Sequence, residues 1–164
     1  MEEKTVSVRG GMFDIKLRTA GSGAPLLYLH GAGGLRGWDP YLADLASTFT
    51  VYAPAHPGFE TSTGMEHLDD MLDMVVYYND LLDALNLSRV HVVGHSLGGM
   101  IAAEFAALSA PRVHRLVLVN SVGLWLDNHP VADFFAMTPA ELGVALWHDP
   151  QSELAQAMMA VPQD

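Results

Sequence analysis

Val90-His91-Val92-Val93-Gly94-His95-Ser96-Leu97-Gly98-Gly99 is the stretch on which the reading of the fold turns. Valines at 90, 92 and 93 are strand-forming residues, and an apolar, alanine-rich run over residues 100–108 follows the two closing glycines. The pattern reads as strand, sharp turn, helix. So tight a bend leaves no room for side chains at Gly94 and Gly98, because each would collide with its neighbours. Ser96 then sits at the apex with strained backbone angles and its hydroxyl projecting from the strand end. The first amides of the following helix point at the same place, so a hydroxyl and an anion-stabilising group share one short segment.

Working outward, residues 26–29 (Leu-Leu-Tyr-Leu) form a continuous apolar run, as a buried parallel strand requires, and residues 116–119 form another. Residues 5–9 and 12–18 alternate in polarity around Gly10-Gly11, which predicts an antiparallel pair. Residues 38–48 and 68–87 carry apolar positions at helical spacing, the second through Leu68, Met71, Leu72, Val75, Leu82 and Leu85. Asp69, Asp70, Asp73, Asp80 and Asp83 read as a solvated helix face, since no metal-ligand spacing accompanies them. A strand is expected at 49–53, followed by the turn-rich Pro54-Ala55-His56-Pro57-Gly58-Phe59. From residue 26 to residue 120, strands and helices alternate as in a parallel, doubly wound sheet.

Composition narrows the function classes. The 164 residues carry 8 Lys and Arg against 19 Asp and Glu, a formal charge of −11. A nucleic-acid partner needs a basic patch, and an anionic membrane surface favours one, so neither is expected. There is no cysteine, which rules out disulfides and thiolate chemistry within these residues. Met1-Glu2-Glu3-Lys4 is unlike a secretory leader, and a cytoplasmic location is the expectation.

Gly94-His95-Ser96-Leu97-Gly98 resembles the G-x-S-x-G nucleophile elbow of the α/β-hydrolase family, with the strand and helix that the motif requires on either side. His30-Gly31-Ala32-Gly33-Gly34 is similar to the loop after the third strand of that family, and residues 54–59 resemble its PGxG loop, from which they depart at Phe59-Glu60. The resemblance implies an α/β fold with a mostly parallel doubly wound sheet of the α/β-hydrolase type, truncated before the last strands. It also implies a core over residues 1–122 and the start of a helical lid over 123–164. By the same resemblance Ser96 is the catalytic nucleophile. The Leu97 amide and that of Ala32, or second Gly33, form the oxyanion hole. Gly94, His95 and Gly98 shape the elbow, and His30 and Gly31 shape the oxyanion loop.

The lid segment reads as short helical pieces broken at Pro130, Pro139 and Pro150, with residues such as Trp125, Phe134, Leu154 and Met158 suited to an apolar pocket. The family's triad runs nucleophile, acid, histidine along the chain, and nothing after Ser96 matches the last two in position. Asn120 stands where some members carry the acid, and Asp127, His129 and His148 are weak substitutes. The expectation is therefore a serine hydrolase acting on a carboxylic ester or similar small apolar acyl substrate, its acid and histidine lying outside these residues. No metal and no cofactor are needed. A complementing C-terminal fragment or a homo-oligomer is the expected partner. A carbon–carbon bond hydrolase or a cofactor-free haloperoxidase is the alternative within the fold. A non-catalytic module that binds hydrophobic ligands is the alternative of another class.

Overall fold

The computed structural model describes residues 1–35 and 37–159 of the chain. Six strands form one sheet: β1 (Glu2–Val8), β2 (Phe13–Ala20), β3 (Ala24–Leu29), β4 (Phe49–Pro54), β5 (Val90–His95) and β6 (Val113–Val119). Their spatial order is β1-β2-β4-β3-β5-β6. β1 and β2 run antiparallel to each other and β2 to β4, while β4, β3, β5 and β6 are mutually parallel. The mostly parallel, doubly wound sheet of the α/β-hydrolase type is thus present. Helices α1 (Pro40–Ala46), α2 (Met71–Ala84) and α3 (Leu97–Leu108) connect the parallel strands.

Strand periodicity explains why both faces are covered. Leu27 and Leu29 of β3 point into a cluster with Phe13, Tyr78, Ile101 and Phe105, contributed largely by α2 and α3. Their neighbours Leu26 and Tyr28 point into a second cluster with Leu42 of α1, Val51 and Val93. A strand buried on both sides cannot alternate in polarity, which is why residues 26–29 read as a continuous apolar run. α2 is shorter than the 68–87 periodicity predicts. It begins after Asp70, whose carboxylate accepts from the Leu72 and Asp73 amides as an N-cap. Its buried face is Val75, Tyr77, Tyr78, Leu81 and Leu82, whereas Leu72 is exposed. The two tyrosines at helical spacing therefore carry packing that the leucine pattern alone misses.

The chain divides into two compact units, Met1–Leu124 and Trp125–Asp164. Within the second unit, Leu126 and His129 form an isolated bridge, and α4 (Pro139–Leu146) and α5 (Glu153–Met159) follow. Pro139 stands at a break between helical pieces, as expected, and opens the second of them. It occupies the first turn, where its missing N–H costs nothing, behind a Thr138–Glu141 capping box. Residues 160–164 and the side chains of Leu154 and Met158 lie outside the described residues. Among the described residues, no helix is long and apolar enough to cross a membrane.

The departure from the PGxG pattern has a structural counterpart. Glu60 lies in the left-handed region at φ 52, a conformation that costs a residue with a Cβ about 1 kcal/mol. Its carboxylate accepts from Arg18 at 2.8 and 2.6 Å, and Lys16 Nζ lies 3.1 Å away. Arg18 is 6% exposed and also reaches Glu3. A bidentate guanidinium in a partly buried site holds the carboxylate tightly enough to offset the backbone strain. It also holds the Glu60 pKa below the ordinary carboxylate value.

Two predictions follow from this packing. Glu60→Gln should lower stability by about 2 kcal/mol near neutral pH. Because the folded-state pKa of Glu60 is lowered, its contribution is present above the unfolded carboxylate pKa and is lost as pH falls through the folded value. The difference in Tm between wild type and variant should therefore shrink on acidification; a constant difference would refute the ionic origin. In contrast, the Tyr77 hydroxyl is buried and lacks a hydrogen-bond partner among the described residues. Thermal unfolding of Tyr77→Phe should show no loss and a gain of up to about 1 kcal/mol, since an unsatisfied polar atom is removed.

Candidate active site

The elbow is built where β5 turns into α3. Gly94 and Gly98 face each other across the turn: a Cβ on Gly94 would overlap the backbone of Gly98 and the Ala102 methyl. A Cβ on Gly98 would overlap the carbonyl groups of Leu29 and His30 at the end of β3. A Cβ on Gly99 would overlap Ser121. The helix start is therefore wedged against the ends of both neighbouring strands with only backbone between them. Ser96 occupies the apex at φ 53, ψ −116, outside the ordinary regions for a residue with a side chain. Its N–H donates to the Val119 carbonyl at 3.0 Å, and its carbonyl accepts from Gly99 at 2.9 Å, Met100 at 3.2 Å and Val122 at 3.3 Å. These bonds hold the strained residue in place from β6, from α3 and from the segment after β6. Leu97 is the first residue of α3, where helix geometry gives an N–H no intrahelical acceptor.

The loop after β3 approaches this apex. The ideal Cβ position of Gly31 is 3.1 Å from Ser96 Cβ and 3.1 Å from His95 Nδ1, so Gly31 is the residue that lets the loop come so near. The Gly34 amide donates to the Gly31 carbonyl at 3.0 Å, which closes a turn with Ala32 and Gly33 at its exposed corner. His95 is exposed beside this loop.

His30 is 1% exposed and His56 is 0% exposed, and their rings stack at 3.8 Å between centroids. His30 Nδ1 meets the Gly31 carbonyl at 2.7 Å, and its Nε2 accepts the His56 backbone N–H at 2.9 Å. His56 Nε2 meets the His30 carbonyl at 2.8 Å, and its Nδ1 is bonded to the Tyr78 hydroxyl. A carbonyl can only accept and a backbone N–H can only donate. His30 therefore carries its proton on Nδ1 and His56 on Nε2, and the Tyr78 hydroxyl donates. Burial lowers the pKa of both rings, that of His56 to about 3, so both are neutral at physiological pH.

The other histidines of the core lie elsewhere. His91 and His114 pack edge to face at 4.6 Å near the starts of β5 and β6, at the opposite end of the sheet from Ser96. Asn120 follows β6 at φ 44. Asp127, His129 and His148 belong to the second unit, where Asp127 accepts from the Trp125 indole at 3.2 Å. His56 lies in the loop that resembles PGxG but at a position that motif does not mark, and Tyr78 falls in no motif. The signal for them was indirect: a histidine in a Pro/Gly loop and a Tyr-Tyr pair on the apolar face of a helix.

Comparison with known proteins gives the same fold. The family described as alpha/beta hydrolase fold matches residues 24–148. An uncharacterised Mycobacterium bovis protein is 39% identical over 67% of this chain and 33% of its own length. A 2-hydroxy-6-oxo-6-phenylhexa-2,4-dienoate hydrolase of Burkholderia cepacia is 30% identical over 96% of this chain and 56% of its own. Among solved structures, the carboxylesterase CesB of Bacillus subtilis aligns with a TM-score of 0.66 and 28% identity, over 71% of this chain and 42% of that one. The chain thus spans between a third and just over half the length of the curated relatives cited. The family match covers the parallel strands, the elbow and the loop after β3 together, and this chain belongs to the alpha/beta hydrolase fold family.

Proposed function

We propose that these residues carry the nucleophile and oxyanion-binding part of a serine hydrolase acting on a carboxylic ester or a similar acyl substrate. The observation that carries the reading is Ser96 at the strained apex, with the first turn of α3 on one side and the Gly31 loop on the other. In this reading the Ser96 hydroxyl attacks the carbonyl carbon, and the amides of Leu97 and Ala32 stabilise the oxyanion that forms. The His30 ring is no base, because its Nδ1–H and its Nε2 lone pair are both committed to backbone partners. The general base and the acid that orients it are supplied from outside these residues, by a C-terminal segment or a second polypeptide. The chemistry requires no metal or organic cofactor.

A second reading, carbon–carbon bond hydrolysis, is favoured by one observation: the Burkholderia dienoate hydrolase aligns over 96% of this chain. Both readings use the same serine and the same oxyanion donors. They separate on substrate, a simple ester against a 2-hydroxy-6-oxo-dienoate.

A fluorophosphonate probe read by intact mass tests the shared core of the reading. The wild-type chain should add one equivalent of probe slowly, and added imidazole, a diffusible base, should accelerate the addition. Ser96→Ala should lose at least about 100-fold of that rate. Equal labelling of Ser96→Ala, or no acceleration of the wild type over that background, would overturn the assignment.

A further inference from the structure

We infer that Tyr78 and His56 are positioning residues that set the direction of the Ala32 amide, and the inference rests on the proposed role of that amide in binding an oxyanion. The argument begins with one peptide group. The Gly31 carbonyl and the Ala32 N–H belong to the same planar trans unit, so they point in opposite directions and cannot turn independently. Whatever fixes the Gly31 oxygen aims the Ala32 hydrogen. Two donors fix that oxygen: the Gly34 amide at 3.0 Å and His30 Nδ1–H at 2.7 Å.

The second donor exists only in one tautomer of His30. The His56 backbone N–H, donated to His30 Nε2 at 2.9 Å, enforces that tautomer. His56 is held in turn by its own ring. Nε2–H donates to the His30 carbonyl at 2.8 Å, and this leaves Nδ1 as an acceptor that only a donor such as the Tyr78 hydroxyl can satisfy. All three side chains are almost fully buried, so water cannot stand in for a lost partner. The chain of bonds runs Tyr78 hydroxyl, His56 ring, His30 backbone and ring, Gly31 carbonyl, Ala32 amide. Neither Tyr78 nor His56 touches a reacting atom in this scheme.

The neighbouring tyrosine provides an internal control. Tyr77 is equally buried on the same helix, but its hydroxyl has no partner among the described residues. Tyr77→Phe and Tyr78→Phe remove the same atom from adjacent positions, and only the second breaks the chain of bonds. Nitrogen-15 NMR of the imidazole rings and the Ala32 amide reads the network without relying on activity. Wild type and Tyr77→Phe should show His30 as the Nδ1–H tautomer, His56 as the Nε2–H tautomer, and the same Ala32 amide resonance. Tyr78→Phe should turn His56 into a tautomer mixture and shift the Ala32 amide. Imidazole-assisted fluorophosphonate labelling of Ser96 should fall about tenfold in Tyr78→Phe and stay unchanged in Tyr77→Phe, less than the loss of a whole oxyanion donor. His56→Gln, which keeps a donor toward the His30 carbonyl, should restore part of the rate relative to His56→Leu. If Tyr78→Phe leaves both the His56 tautomer and the Ala32 resonance unmoved, the inference is wrong whatever the labelling shows. If the resonances move but Ser96 is labelled at the wild-type rate, the network is structural and does not aim the amide. If Ser96→Ala is labelled like wild type, the hydrolase reading fails, and the spectra still decide the network.

Discussion

The closest physical constraint in this molecule is the absence of a side chain at Gly98. The first turn of α3 rests directly on the carbonyl ends of Leu29 and His30, at a separation that excludes even a methyl group. β3 and β5 are hydrogen-bonded neighbours in a parallel ladder, with Leu29 opposite Gly94. Their ends are therefore level, and the loop leaving β3 must pass the helix leaving β5. Backbone against backbone is what allows the Gly31 loop to come within 3.1 Å of the Ser96 side chain, measured from where its own Cβ would stand. A larger residue at 98 would push the helix away from β3 and separate the two groups of amides.

Among the residues with side chains at positive φ, Ser96 and Glu60 are each over-determined by their surroundings. Ser96 is held by backbone hydrogen bonds from three directions. Glu60 is held by charge, with Arg18 and Lys16 converging on its carboxylate. The difference follows from place. Ser96 lies at the end of a central strand, where unpaired backbone groups of the sheet are within reach. Glu60 lies in a loop outside the sheet, and its side chain supplies an anchor to β2. The same loop carries His56, so the ion pair on the β2 side and the buried imidazoles on the β3 side fix the two halves of one connection.

The sequence disclosed those parts of the site that sterics dictate. Gly94, Ser96 and Gly98 are legible because a tight strand-to-helix turn admits few residues, and Leu26 to Leu29 because a doubly covered strand must be apolar throughout. Pro139 is legible as a boundary between helical pieces, and the Thr138 and Glu141 pair around it shows which side of the boundary it takes, the start of α4. Leu72 departs from the expected stripe because a leucine pattern does not register where a helix starts: it lies in the first turn after the Asp70 cap and is exposed, whereas the buried face begins at Val75. His56 and Tyr78 were invisible for a deeper reason. Their partnership joins residues 22 positions apart through contacts that arise only once β4 and α2 are packed.

Order at the elbow is also tied to the edge of the sheet. Among the described residues β6 is the outermost strand on its side, and Leu116, Val117 and Leu118 are each more than a third exposed. Edge strands exchange and fray more readily than central ones, because half of their ladder hydrogen bonds have no partner strand. Yet β6 supplies the Val119 carbonyl that takes the Ser96 N–H, and the segment after it supplies the Val122 amide that binds the Ser96 carbonyl. Two of the four backbone bonds that hold Ser96 in its strained conformation therefore come from this edge, and the other two come from α3. A shift of the end of β6 reaches Ser96 through these two bonds. The loop carrying Ala32 is anchored instead to interior groups: His30 just after β3, His56 just after β4, and Tyr78 of α2. The two sides of the site thus draw their rigidity from different parts of the fold, the serine side from β6 and α3 and the Ala32 side from the buried imidazoles and Tyr78.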